Sequence, residues 1–152
     1  TKGMNVMDGY YNNPEASNTV LSPDGWLHTG DLGVLDPDGY LYIKGRSKSL
    51  ILGPSGQNIY PEEIEDLLNA QPYIAESLVI EREGKLVALV YPDAEAMKQN
   101  KISREALLKI IHETRKQINQ QLPAYSQIAR IEIHDEEFEK TPKRSIKRFL
   151  YQ

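Results

Sequence analysis

Apolar positions in the second half of the chain fall into alternating helical and strand patterns. Ile64, Leu67 and Leu68 recur at helical spacing behind Pro61, which suits a first helical position, and Glu62 and Glu63 suit the positive end of a helix dipole. Residues 75–81 and 85–91 are rich in Val, Ile and Leu, and Glu83-Gly84 between them predicts a β-hairpin. Ser103 can cap a second helix, with Ile102 and Leu107 placed as a hydrophobic staple. Leu107, Leu108, Ile111, Ile118 and Leu122 form its expected buried stripe, and Pro123 ends it. The alternation Ile131-Glu132-Ile133 within 128–134 predicts a third strand. The fold class that follows is α+β: a small, mainly antiparallel three-stranded sheet covered by helices.

The first part reads differently. Residues 1–21 hold turn formers and isolated apolar residues without a sustained period, so they are expected to be irregular. Residues 26–35 and 40–45 bracket Asp36-Pro37-Asp38-Gly39 and predict an antiparallel hairpin. With few partners in the chain for its apolar residues, that hairpin is expected to be the remnant of a larger N-terminal domain. Between the two parts, residues 45–65 run from a Gly-Arg turn through an apolar run and a Gly/Pro/Ser loop to the helix begun by Pro61. At the other end, residues 140–148 concentrate positive charge, and Pro142 predicts an extended or mobile tail.

Composition narrows the functional classes. The 152 residues suffice for one domain with a core. The absence of cysteine excludes disulfides, thiolate metal sites and a cysteine nucleophile, and a cytoplasmic location is the expectation. A net charge of −4 gives no overall attraction to nucleic acid, and no nucleic-acid partner is expected. No apolar run approaches the roughly 20 residues needed to span a bilayer. The chain opens at Thr1 without an initiator methionine, from which a piece of a longer protein is expected.

Five places could carry chemistry. Asp31, just after Gly30, could accept hydrogen bonds from vicinal sugar hydroxyls, although an Asp at such a turn is more often structural. Arg46 offers a fork suited to phosphate or hydroxyl groups. The loop Ser55-Gly56-Gln57-Asn58 would let backbone approach a ligand but has no phosphate-loop pattern. His28 is a candidate base with no Ser or carboxylate placed by sequence to orient it. The basic tail could recognise an anion, yet no aromatic platform accompanies it. No metal-ligating pattern is present.

In order along the chain, residues 9–15 (GYYNNPE), 24–31 (DGWLHTGD), 39–46 (GYLYIKGR) and 56–65 (GQNIYPEEIE) resemble the adenylate-forming acyl-CoA synthetase superfamily. The ending 131–142 (IEIHDEEFEKTP) is most similar to the long-chain fatty acyl-CoA ligases. The resemblance implies an ATP-dependent ligase. A carboxylate attacks the α-phosphate of ATP, with magnesium on the triphosphate, to give an acyl adenylate, and coenzyme A then displaces AMP. It further implies that residues 1–45 end a large N-terminal domain, that 46–48 are a hinge, and that 49–152 form a mobile C-terminal domain.

By the same resemblance Asp31 holds the ribose of ATP, Arg46 contacts the nucleotide, Lys48 is the hinge, and Gly56 lies in the loop facing the pantetheine tunnel. The family's Pro-Lys-Thr-x-x-Gly-Lys, whose last lysine serves adenylation, is altered here. With Lys140-Thr141 matched to its Lys-Thr, Ser145 takes the lysine position, and Lys147 or Lys143 is the expected substitute. The implied partners are the protein's own N-terminal domain, a small carboxylate and coenzyme A, with peripheral membrane contact through a fatty substrate. The chain alone is expected to be inactive. Two other readings stay open: an adenylation domain loading a carrier protein, and an anion-binding module using the basic tail.

Overall fold

A computed structural model describes residues 1–152, which divide into two compact units, Thr1–Lys48 and Ser49–Gln152. In the first, helix α1 (Pro14–Val20) is capped by Asn13, whose side chain accepts the Ala16 N–H, with Pro14 at the first helical position. This helix corrects the expectation that residues 1–21 are irregular. It has no buried residue, so no apolar period marks it in the sequence. Strands β1 (Asp31–Leu35) and β2 (Leu41–Arg46) form the expected antiparallel hairpin. Its turn is held by Asp36, whose carboxylate accepts the N–H groups of Asp38 and Tyr40. A bulge at Leu32/Gly33 brings the Tyr42 carbonyl so near that a Cβ on Gly33 would lie 2.9 Å from it. None of residues 1–48 is buried, and Val34, Leu35, Leu41, Tyr42 and Ile43 of the hairpin are exposed.

The second unit opens with the short pair β3 (Ile51–Leu52) and β4 (Asn58–Ile59), then helix α2 (Pro61–Asn69). Strands β5 (Ile74–Arg82), β6 (Lys85–Pro92) and β7 (Ile128–Ile133) make the sheet in that order. The predicted hairpin is β5–β6, antiparallel, whereas β7 joins β6 in parallel. A parallel neighbour requires a long crossover. It is supplied by α3 (Ala94–Gln99) and α4 (Arg104–Gln121), the latter capped by Ser103. Asn119 on α4 ties β7 down twice, accepting the Ile128 N–H and donating to the Ile128 carbonyl.

The two faces of the sheet carry separate cores. One packs Val79, Leu86, Ala88 and Val90 against Ile64 and Leu68 of α2 and Leu107, Ile111 and Ile118 of α4. Leu108, expected in this stripe, is exposed, because it stands about 100° round the helix from Leu107, at the edge of the stripe. On the other face Leu78, Ile80, Val87 and Leu89 are covered by the C-terminal segment through Phe138, Ile146 and Tyr151. His134 stacks on Phe138, and Tyr151 meets both rings edge-on.

The tail is therefore neither extended nor loose. Thr141 and Ser145 close a tight turn: the Arg144 N–H donates to the Thr141 carbonyl, the Thr141 N–H to the Ser145 carbonyl, and the Ser145 N–H to the Thr141 hydroxyl. Lys140 and Ile146 pair across it as an antiparallel bridge. Pro142 suits the first corner of such a turn and promotes it rather than an extended run.

Candidate functional site

In the first unit the two residues singled out for nucleotide contact lie opposite each other. Asp31 and Arg46 are cross-strand partners in β1–β2, and the guanidinium forms an ion pair with one carboxylate oxygen. Arg46 is well exposed and Asp31 partly so, which leaves the second Asp31 oxygen able to accept from a ligand. The hairpin register explains the pairing, since residues directly opposite on one face approach closely. His28 does not join them: its N–H donates to the Val20 carbonyl, and its exposed ring meets neither a serine nor a carboxylate. Lys48 sits in the middle of a single 3-10 turn, Ser47–Ser49.

In the second unit Gly56 is at the tip of the β3–β4 turn with φ +78°, a left-handed conformation that favours glycine. Nothing lies within 4 Å of where its Cβ would be, so the backbone angle, rather than crowding inside this chain, asks for glycine there. The flank of this turn forms one wall of a cleft of about 490 Å³, whose other walls include Tyr125, Lys85 and Glu81.

The basic tail is largely neutralised. Lys140 pairs with Glu76 at 2.7 Å and Glu137 at 2.5 Å, and these carboxylates hold its ammonium above the usual lysine range. Lys147 reaches Glu139 at 3.1 Å. Arg148 closes on Glu65 of α2 at 2.5 Å, with Glu62 at 3.7 Å, and donates to the Val79 carbonyl at 3.2 Å. Glu65 accepts the Val79 N–H at 2.6 Å. The two side chains thus occupy both backbone groups that edge strand β5 would leave open at Val79. Burial pushes the Glu65 carboxyl up, and Arg148 and the Val79 N–H pull it back only partly.

Lys143 and Lys147, the expected substitutes at Ser145, stand on a turn rather than on the extended tail expected. The reversal at 141–145 places Lys143 at the tip and Lys147 at the base. The Glu65–Arg148 clasp was not found from the sequence, since its partners stand 83 residues apart. A lone Arg after a basic run and a Glu inside a helix carry no signal of each other.

The architecture defines the class, a small α+β domain preceded in the sequence by a hairpin that carries a paired aspartate and arginine. Residues 48–151 match the model of the AMP-binding enzyme C-terminal domain, and the chain belongs to that family. Among curated relatives, indoleacetate–CoA ligase of Aromatoleum aromaticum is 48% identical over 93 residues, covering 59% of this chain and 18% of that protein. The 2-succinylbenzoate–CoA ligase of Bacillus cereus is 40% identical over 112 residues, covering 74% of this chain and 23% of that protein. O-succinylbenzoate coenzyme A synthetase from Bacillus subtilis, solved with AMP, superposes with a TM-score of 0.71 at 29% identity, over 99% of this chain and 29% of that one. The same synthetase with ATP and magnesium gives 0.69 at 31% identity, over 97% of this chain and 28% of that one. The chain thus spans less than a third of the length of these relatives.

Proposed function

We propose that this chain is the nucleotide-contacting end and C-terminal domain of a longer ATP-dependent acid–CoA ligase. The observation that carries the reading is the Asp31–Arg46 pair, standing where the motif resemblance expects nucleotide contact, in a chain whose relatives are CoA ligases. Asp31 accepts hydrogen bonds from the ribose hydroxyls of ATP, and Arg46 holds its carboxylate in place while remaining open to the nucleotide. Lys48 is the hinge, between an N-terminal part ending near residue 45 and a mobile domain from residue 49. Gly56 presents bare backbone to the pantetheine arm of coenzyme A. The tail turn, with Lys143 at its tip and Lys147 at its base, supplies the cation for adenylation. Magnesium comes with the triphosphate; no group of three His, Asp or Glu side chains converges in this chain to hold it.

The exposed apolar side chains of the β1–β2 hairpin support a larger N-terminal domain as their partner. The relatives are named for indoleacetate and 2-succinylbenzoate, which favours an aromatic carboxylate over the long-chain fatty acid expected from residues 131–142. Membrane contact through a fatty substrate loses its motive with that change, and no helix is long and apolar enough to cross a membrane. The protein is read as cytoplasmic, where ATP and coenzyme A are available. The anion-binding reading is disfavoured because Lys140, Lys147 and Arg148 already have carboxylate partners. No feature of the chain favours a carrier protein over coenzyme A.

The test is thioester formation by the full-length protein given ATP, magnesium, coenzyme A and a panel of aryl and fatty carboxylates, beside Asp31→Ala. Loss of a charge-assisted hydrogen bond to the ribose is expected to weaken ATP use by about 1.5–3 kcal/mol. An Asp31→Ala protein that uses ATP normally would refute the assignment.

A further inference from the structure

Resting on the ligase reading above, we propose that Arg144 is the catalytic cation of the tail turn, replacing the lysine that Ser145 displaces. The five cations of residues 140–148 do not stand alike. Lys140, Lys147 and Arg148 are committed to carboxylates and brace the turn against β5, α2 and Glu139. Lys143 and Arg144 are exposed at its tip and form no ion pair or side-chain hydrogen bond. A charge already neutralised on its own domain has little left for an incoming phosphate, so the choice falls between these two.

Position in the turn decides it. Arg144 has φ +63°, the left-handed region in which a residue other than glycine is uncommon. It occupies the corner where the hydrogen bonds from the Arg144 and Ser145 N–H groups close the turn onto Thr141. In the sequence pattern this corner is the glycine of Gly-Lys, so glycine and lysine there have become arginine and serine here. Asn12, Tyr73, Glu83 and Lys101 share this region, so the angle fixes the Arg144 corner of the turn, and it is the place of that corner beside Ser145 that carries the choice. Arg144 adjoins the vacated position, with consecutive Cα atoms about 3.8 Å apart, and its arm and forked head can cover that offset. Lys143 is one residue more remote and follows Pro142 directly.

In adenylation a carboxylate oxygen bonds to the α-phosphorus as the bond to the bridging oxygen of the departing pyrophosphate breaks. No proton is transferred, so a permanently charged guanidinium can serve by bridging the carboxylate and an α-phosphate oxygen. The group needs no deprotonated form, and arginine loses nothing relative to lysine in this role.

The experiment uses the full-length protein and times the two half-reactions separately. Carboxylate-dependent pyrophosphate exchange reads adenylation, and thioester formation from preformed acyl adenylate reads the second step. Arg144→Gly is expected to lower exchange at least tenfold, about 1.4 kcal/mol, while thioester formation stays within about twofold. Its thermal midpoint should not fall, because glycine suits the left-handed corner. Adding Ser145→Lys to Arg144→Gly should restore exchange. Among Arg144→Gly, Lys143→Ala and Lys147→Ala, the largest loss should belong to Arg144. Normal exchange by Arg144→Gly, equal loss of both half-reactions, or no rescue by Ser145→Lys would overturn the proposal while leaving the ligase reading in place. A wild-type protein without exchange would overturn both.

Discussion

Replacing Arg148 by methionine tests how the C-terminal segment is held to the sheet. Methionine keeps an unbranched stem against the neighbouring side chains and removes the guanidinium. Arg148 retains 19% and Glu65 11% of side-chain exposure, so the pair is largely out of water. Breaking a buried pair from one side costs about 3–5 kcal/mol, because the remaining charge is stranded. Glu65 can relieve part of this by taking up a proton, its carboxyl already being raised by burial, so the expected loss is at the low end, about 3 kcal/mol. That is a large fraction of the roughly 5–15 kcal/mol that holds a domain together. Urea unfolding of the 152-residue chain, followed by far-UV circular dichroism, should show the midpoint falling by about 1 M or more. The double variant Arg148→Met/Glu65→Gln should recover about 2 kcal/mol, since glutamine still accepts the Val79 N–H and strands no charge. A loss below about 1 kcal/mol in the single variant, or strict additivity in the double, would refute the clasp as a stabilising unit.

Two further outcomes follow. The raised Glu65 carboxyl implies that the folded chain holds a proton more tightly than the unfolded chain above the ordinary value of 4.5. Its contribution to stability is therefore full below that pH and declines as pH rises through the raised value. The stability gap between wild type and Glu65→Gln, measured by urea titration from about pH 4 to 7, should shift against wild type with rising pH; a shift in its favour would show that Arg148 outweighs burial. In the full-length protein, Lys48→Pro fixes φ at the proposed hinge and is expected to impair one half-reaction more than the other. Equal impairment with folding intact would remove Lys48 from that role.

Most of the second unit was legible because its signals are local. Pro61 and Ser103 mark helix starts, Glu83-Gly84 sits at a hairpin turn, and Ile131-Glu132-Ile133 alternates as a half-buried strand does. The parallel placement of β7 was not legible, since alternation gives a strand's faces but not its neighbour's direction. The second core was hidden for a related reason. Phe138, Ile146 and Tyr151 follow neither period of two nor 3.6 and stand among charges, so only the long-range contact with Leu78, Ile80, Val87 and Leu89 reveals them as core. The charge of residues 140–148 read as available for an anion because their carboxylate partners, Glu65 and Glu76 above all, are distant in sequence. Asp31 and Arg46 were found as separate residues; the hairpin register turned them into a pair.

The central claim, that this chain completes a carboxylate-activating site built mostly outside it, is tested most directly by carboxylate-dependent ATP–pyrophosphate exchange. The full-length protein should catalyse exchange with a carboxylate of the right class, and the 152-residue chain alone should not, because on the proposed reading ATP is positioned against the carboxylate by residues outside this chain. Exchange by the isolated chain, or none by the full-length protein with any aryl or fatty carboxylate, would contradict the account.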